Sequence, residues 1–337
     1  MTKPALSVVM PFRNAAATLA EACESIERQT WRDFEVLAID DGCDDDSAAL
    51  LAAWARADAR VRLLQPGRVG LVAALNLGLH EARAPLVARM DADDIMLPRR
   101  LEAQQALFEA QPALALVATQ VELFPDELVR DGYREYVRWQ NACITPAQID
   151  ANIYIESPFA HPSVMLRREA VLQLGGYAEG LFPEDYELWL RMHQAGMAMA
   201  RVPEVLLRWR ERPDRTSRTD ARYQRERFDE LRARFLAGDA RLKQQRPLVY
   251  WGAGRATRQR ARHLIERGFA PAAWIDIDPR KIGQVVWGAP VHPPTWLAQE
   301  PKPFVLVYVS SHGARDMIDA ELAALGYAPG VDYLGVG

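Results

Sequence analysis

Residues 88–98 read ARMDADDIMLP and follow directly on the apolar run Pro85-Leu86-Val87-Ala88. Asp91, Asp93 and Asp94 thus crowd the end of what the pattern predicts to be a buried strand. Like charges this close repel and raise one another's pKa unless something positive stands among them. Two readings of these residues are open. One is a solvated turn or a helix N-cap ahead of Leu97-Pro98, where Asp is favoured. The other is a seat for a divalent cation.

The flanking chain bears on the choice. Residues 6–10 form a β-type run ended by Pro11, and Asn14 stands where it would cap a helix over 15–29 marked by Leu19, Cys23 and Ile26. A second strand over 34–39 runs into Asp40-Asp41-Gly42, and a third covers 61–64. Residues 70–82 have helical spacing through Leu71, Leu75 and Leu79, and 86–90 form the fourth strand. Strands alternating with helices predict a mainly parallel, doubly wound sheet. Ligands of such sheets bind beyond the carboxyl ends of the strands. Pro11, Asp40, Asp41, Asp91, Asp93 and Asp94 all lie at such ends, and that shared location weighs more than any single motif.

Further on, strand-like pieces cover 114–121 and 163–166, the latter preceded by His161-Pro162. Glu184-Asp185 opens a helical stretch over 186–194. Residues 221–242 read as one long helix, since neither Gly nor Pro interrupts them before Gly238, and Pro247 marks a boundary. A second α/β unit follows, with strands over 248–251, 272–275 and 304–309 and helices over 255–267 and 314–325.

A chain of 337 residues predicts two domains. A net charge of −4 does not advertise nucleic-acid binding. Cys23, Cys43 and Cys143 are odd in number and lack CxxC spacing, which argues against a disulfide framework or a zinc site. No run reaches ~18 uninterrupted apolar residues, and the first residues lack a signal-peptide pattern. The expectation is a cytoplasmic protein, with peripheral contact to the inner membrane surface left open.

Four motifs stand in order: VVMPFRN (8–14), the strand ending in IDDG (36–42), MDADD (90–94) and PEDYELW (183–189), with ALNLGL (74–79) and HPSVMLRR (161–168) between them. Together they resemble family 2 glycosyltransferases over roughly residues 4–215. The resemblance implies the GT-A fold: a mixed, nucleotide-sugar-binding sheet flanked by helices. It also implies a nucleotide diphosphate sugar donor, most naturally a UDP-sugar, a glycan or lipid-linked acceptor, and transfer with inversion. Asp41 matches the acid that accepts the uracil N3–H, a role suited to a carboxylate, which only accepts. The other reading of Asp41 is a cap on the following turn, and Asp40 is read as orienting the loop. Pro11, Arg13 and Arg68 match positions along the nucleotide. Asp91 and Asp93 match the DxD pair, with Asp91 near the ribose and both acids at a Mn²⁺ or Mg²⁺ ion. Asp94 is either a further ligand or, the favoured reading, an N-cap for the helix after Pro98. Asp185 matches the general base. His161 is either structural or engaged with metal or acceptor.

One departure stands out. Many relatives carry an aromatic-Arg-x-His segment after the base, and here the stretch is Trp209-Arg210-Glu211-Arg212. Arginine does not ligate a metal as neutral imidazole does. Arg212, Arg215 or Arg218 is therefore read as a direct clamp on phosphate. Residues 208–246 hold thirteen Lys/Arg against seven Asp/Glu, consistent with a solvated helix laced by its own ion pairs or with docking to anionic lipid headgroups. The QxxRW signature of processive synthases is absent, so single additions are expected.

In the second unit, WGAGRATRQ (251–259) and Asp276 imitate a dinucleotide fingerprint, but Thr257 stands where the third glycine belongs. The segment over 275–291 resembles small Rossmann-like modules attached to sugar-modifying enzymes. The expected layout is a GT-A domain over 1–218, an arginine-rich helical linker over 219–246 and a Rossmann-like accessory domain over 247–337. An oligomer is compatible with this layout. The rival functions are a sugar-nucleotide oxidoreductase using the second unit and a nucleotide-sugar-binding scaffold.

Overall fold

The computed structural model describes residues 3–244, 246–309 and 313–337. The chain divides into two units. One comprises Met1–Pro146, Pro158–Gly180 and Glu184–Thr219, and the other Ala147–Ser157, Leu181–Pro183 and Asp220–Gly337.

In the first unit β1 (Leu6–Phe12), α1 (Leu19–Glu27), β2 (Phe34–Asp40), α2 (Ser47–Ala57), β3 (Val61–Leu64), α3 (Leu71–Glu81) and β4 (Leu86–Arg89) alternate in sequence. β1 pairs in parallel with β2 and with β4, and β2 with β3. Every residue of β1, β2 and β4 is buried, which is why these strands read as continuous apolar runs rather than alternating ones. Each fully buried Leu, Ile or Val here contributes ~1.5–3 kcal/mol. The helix read over 15–29 begins later, at Leu19, with Thr18 at its N-cap. Asn14 does not cap it: its φ is +47°, and its side-chain oxygen accepts from the Asp44 N–H at 3.1 Å.

Next come β5 (Ile95–Met96), α4 (Arg100–Ala110), β6 (Leu114–Phe124), α5 (Asp131–Ala142), α6 (Pro146–Asn152), β7 (Met165–Arg167), α7 (Arg168–Gln173), α8 (Glu184–Gln194), β8 (Ala198–Arg210) and α9 (Thr216–Thr219). The sheet order is β3-β2-β1-β4-β7-β6-β8-β5. The mainly parallel expectation holds through β4 and again where β6 pairs in parallel with β8. β7 runs antiparallel to both β4 and β6, and β5 antiparallel to β8, so the sheet is mixed. Strand β8 had no counterpart in the sequence reading, because Pro203 sits inside it. The proline is accommodated where the register against β6 slips, from Thr119 opposite Val202 to Gln120 opposite Val205.

The remaining elements are α10 (Arg225–Leu236), β9 (Leu248–Trp251), α11 (Arg255–Ile265), β10 (Ala273–Ile275), β11 (Val285–Val286), β12 (Ala289–His292), β13 (Phe304–Val307), α12 (Ala314–Ala324) and β14 (Tyr333–Gly335). They build a smaller sheet ordered β11-β12-β10-β9-β13-β14, with a core that includes Val249, Trp251, Ile275, Leu297, Val305 and Leu322. The single helix expected over 221–242 is broken. Asp220 and Asp239 each accept a backbone N–H two residues on, from Arg222 and Arg241, both at 2.9 Å. Each nucleates a separate 3-10 turn, and Gln224 between is extended. Local side-chain capping wins over helix propagation here. Many arginines of this stretch are paired locally, as Arg222 is with Asp220 at 2.8 Å and Arg232 with Asp229. Among the described residues no helix is long and apolar enough to cross a membrane.

Candidate active site

The acidic loop leaves β4 and is held in place from three sides. Thr18 donates its hydroxyl to the Ala92 carbonyl at 3.0 Å, Arg210 donates Nε to the Asp93 carbonyl at 2.6 Å, and Arg100 donates Nη2 to the Arg89 carbonyl at 2.9 Å. Carboxylate oxygens of Asp91, Asp93 and Asp94 all lie within 4.8 Å of one another. Asp94 does not cap a helix. Its Oδ1 accepts the Arg210 N–H at 2.7 Å, tying the loop to the end of β8, while among the described residues its buried Oδ2 has no hydrogen-bond partner. Burial first, and then the charges of Asp91 and Asp93, push the Asp94 carboxyl well above its ordinary range. Asp93 is pushed up by burial and by Asp91, with Arg212, Arg215 and Arg89 opposing.

Two arginines answer this charge directly. Arg89, the last residue of β4, is buried and forms an ion pair with Asp91. Burial disfavours its charge, but Asp91 more than compensates and keeps it protonated. Arg212 stands 3.3 Å from Asp93 Oδ2. The sequence reading missed Arg89. Its signal was a lone charge closing an apolar run just ahead of the acids.

The other acid pair closes β2. Asp40 accepts from the Cys43 N–H at 2.9 Å and from Gln65 at 3.3 Å. Burial would raise its pKa, but these hydrogen bonds outweigh it and hold the carboxyl low. Asp41 Oδ1 accepts the N–H groups of both Val69 and Gly70 at 2.7 Å, which brings the loop carrying Arg68 against the strand end. Gly42 permits this approach: it has φ +72°, and a Cβ there would stand 2.9 Å from Arg68 Cβ. Pro11 is buried in β1, whereas Arg13 and Arg68 are exposed.

Asp185 lies in the first turn of α8, where the helix dipole favours a carboxylate. It retains partial solvent contact, and its Oδ1 accepts the Tyr186 N–H at 2.7 Å. Its surroundings are nonetheless deep. Burial, and then the adjacent Glu184 charge, raise its pKa to about 7, and Arg89 pulls it back. Buried His161 meets the Tyr177 hydroxyl through Nε2 at 2.9 Å and has Nδ1 3.9 Å from Glu184. Burial, assisted by the Arg89 charge, drives His161 well down in pKa, so it is neutral. These positions put His161 beside the α8 end of the site rather than among the three aspartates.

Beyond β8 the arginines differ in freedom. Arg215 stacks 4.4 Å over Trp209, hydrogen-bonds the Tyr133 hydroxyl at 3.0 Å and pairs with buried Glu211 at 3.6 Å. Arg218 is held by the same glutamate at 2.8 Å. Among the described residues, the ionic neighbours of Arg212 are Asp93 and, at 3.5 Å, the exposed Asp214.

A family model described as "Glycosyl transferase family 2" matches residues 7–175, from β1 through the acidic loop to the segment before Tyr177. The chain belongs to glycosyl transferase family 2. Among curated relatives, the family 2 chain is 33% identical over 193 residues to the amylovoran biosynthesis glycosyltransferase AmsE of Erwinia amylovora, covering 57% of this chain and 70% of that one. It is 28% identical over 207 residues to an Escherichia coli UDP-Gal:alpha-D-GlcNAc-diphosphoundecaprenol beta-1,3-galactosyltransferase, covering 60% and 73%. A solved structure of S. aureus TarS residues 1–349 with UDP-GlcNAc superposes with a TM-score of 0.52 at 14% identity, covering 69% of this chain and 71% of that one, a likeness of fold. The chain is a glycosyltransferase with a GT-A fold and a second, smaller α/β unit.

Proposed function

We propose that this glycosyltransferase moves a sugar from a UDP-sugar to a glycan or lipid-linked acceptor, with inversion, using a divalent cation and Asp185 as general base. The observation that carries the reading is the convergence of Asp91, Asp93 and Asp94 within 4.8 Å at the carboxyl end of β4. The donor set fits Mn²⁺ or Mg²⁺: it is all oxygen, burial and then the neighbouring carboxylates push Asp93 and Asp94 up, and among the described residues the buried Asp94 Oδ2 has no hydrogen-bond partner. Asp91 and Asp93 would hold the cation. When bound, it offsets the negative charge that builds on the departing nucleoside diphosphate.

The chain's own groups do the rest. Asp41 Oδ1 is committed to the backbone of Val69 and Gly70, so Oδ2 is the oxygen offered to the uracil N3–H. Asp40 fixes the loop, and Pro11, Arg13 and Arg68 flank the nucleotide. Asp185, raised towards neutrality, takes the proton of the acceptor hydroxyl as that oxygen attacks the anomeric carbon and the bond to diphosphate breaks. The uridine donor and the lipid-linked acceptor draw support from the galactosyltransferase relative, whose name contains both. On this reading residues 1–218 are the catalytic domain, 219–246 the arginine-rich connection and 247–337 an accessory domain. The chain works in the cytoplasm, with the basic stretch available to an inner-membrane surface and self-association compatible with the site.

The test is a thermal-shift panel of nucleotide sugars with and without Mn²⁺, on wild type and Asp93→Ala. A ligand at 100 times its Kd adds ~2.7 kcal/mol of stability. A metal-dependent shift with a UDP-sugar, lost in Asp93→Ala, is expected. A shift with no sugar nucleotide, or one indifferent to Asp93→Ala, would overturn the reading.

A further inference from the structure

Resting on that reading of the site, we infer that Arg212 is an exchangeable counter-ion. It neutralises Asp93, gives way when a divalent cation takes that carboxylate, and moves its guanidinium onto the donor's diphosphate. Cation and nucleotide thereby bind as a coupled pair.

Three observations carry this. First, Arg212 Nη2 lies 3.3 Å from Asp93 Oδ2, so the guanidinium stands against the carboxylate that the cation needs. A second positive charge there is repelled unless Arg212 leaves, and the donor that arrives with the cation brings a diphosphate, a stronger anion for it than the exposed Asp214. Second, Arg212 is free to leave. Its side chain is 36% exposed, against 5% for Arg89 and 12% for Arg215. Among the described residues its buried Nε has no hydrogen-bond partner, and Asp214, the other acid near it, is 76% exposed and 3.5 Å away. Partly exposed pairs of this kind are weak, whereas guanidinium–phosphate contacts are bidentate and strong. Third, the neighbours that could compete for the role are tied down. Arg210 is committed to the Asp93 carbonyl and to Glu21, while Arg215 and Arg218 are committed to Glu211. Arg89, buried and paired with Asp91 Oδ1, stays in place and leaves that acid's other oxygen to the cation, so exchange is confined to Asp93.

The experiment measures Mn²⁺ binding alone, by electron paramagnetic resonance of the unbound ion, and UDP binding with and without saturating Mn²⁺, by calorimetry. Both are done on wild type, Arg212→Gln, Arg212→Lys and Asp93→Asn. In Arg212→Gln the affinity for Mn²⁺ alone should rise several-fold while the affinity for UDP at saturating Mn²⁺ falls about tenfold. Arg212→Lys should show both changes in smaller degree, since a point charge still pairs but does not fork. Opposite movement of the two affinities is what a purely structural arginine does not produce. If both fall together, or neither moves, the inference is overturned. If wild type shows no Mn²⁺-dependent UDP binding and Asp93→Asn changes nothing, the proposed function itself fails and takes the inference with it.

Discussion

Asn76 and Tyr177, 101 residues apart, clasp each other in both directions: Asn76 Nδ2 donates to the Tyr177 carbonyl at 2.9 Å, and the Tyr177 N–H donates to Asn76 Oδ1 at 2.8 Å. Gly176 makes room for the clasp, since with φ +77° a Cβ there would stand 2.4 Å from Asn76 Oδ1. The clasp anchors the residue whose hydroxyl meets His161. Asn76→Ala should cost ~1–3 kcal/mol, the price of two unpaired backbone groups. Gly176→Ala should destabilise comparably by strain. Thermal unfolding checks both, and an unchanged Tm in Asn76→Ala would contradict the account.

Asp185 should govern the acidic side of the pH–rate profile. A base whose pKa is about 7 works only above it, so kcat/KM should climb through neutral pH. Burial is the larger cause and Glu184 the second, so Glu184→Gln should shift the acidic limb to lower pH without abolishing it. Asp185→Asn should remove turnover and leave UDP binding intact.

The same shift has a stability consequence of definite sign. The folded carboxyl holds its proton to about pH 7 while the unfolded one releases it near 3.8, so the folded state binds more protons between those values. Its contribution to stability therefore declines as pH rises across that window. Asp185→Asn escapes the decline and should raise Tm by at least ~2 °C at pH 8, with the gain vanishing near pH 4. Calorimetry at the two pH values decides it.

The two acids of the DxD pair should differ when replaced. Asp91→Ala leaves the buried Arg89 guanidinium uncompensated and should cost ~3 kcal/mol in chelator. Asp93→Ala removes a carboxyl that burial and Asp91 already strain, beside a half-exposed Arg212, and should change stability by less than ~1 kcal/mol. Denaturant titration in the presence of a metal chelator separates them, and equal losses would count against the asymmetry.

NADH should not bind the second unit. Asp276, at the place of a ribose-binding acid, has Oδ2 engaged by the Ala253 N–H and by Lys281 Nζ, both at 2.9 Å, and Oδ1 by the Asp278 N–H at 2.9 Å. Three of the carboxylate's roughly four lone-pair sites are thus taken, which leaves too little for the paired hydroxyls of a ribose. Fluorescence titration with NADH should give no saturable signal, and a micromolar Kd would revive the oxidoreductase reading.

What the sequence made legible follows from periodicity and position. The apolar runs of β1, β2 and β4 are buried on both faces, so they read clearly, and with them the carboxyl ends where Asp40, Asp41 and the acidic loop stand. What it hid involves partners remote in sequence or local rules in conflict. β8 was masked by Pro203, whose tolerance depends on a register slip against β6. The helix over 221–242 was overcalled because capping by Asp220 and Asp239 is invisible to periodicity. Arg89, Arg210 and the Asn76–Tyr177 clasp become meaningful only once β4, β8 and the Gly176 turn meet their partners.

The second unit is discontinuous in the chain, and this has a consequence for its synthesis. The Tyr154 hydroxyl donates to Asp239 at 3.0 Å, the Tyr154 carbonyl accepts the Gly337 N–H at 3.0 Å, and the Ile155 carbonyl accepts from Arg232 at 2.7 Å. Residues 147–157 therefore leave the ribosome long before the groups that satisfy them. At roughly 5–20 residues per second, that early segment waits on the order of ten seconds or more for its last partner. The segment thus spends that interval with its buried polar groups answered by water or by temporary partners, which makes it a place where co-translational misfolding is expected to start.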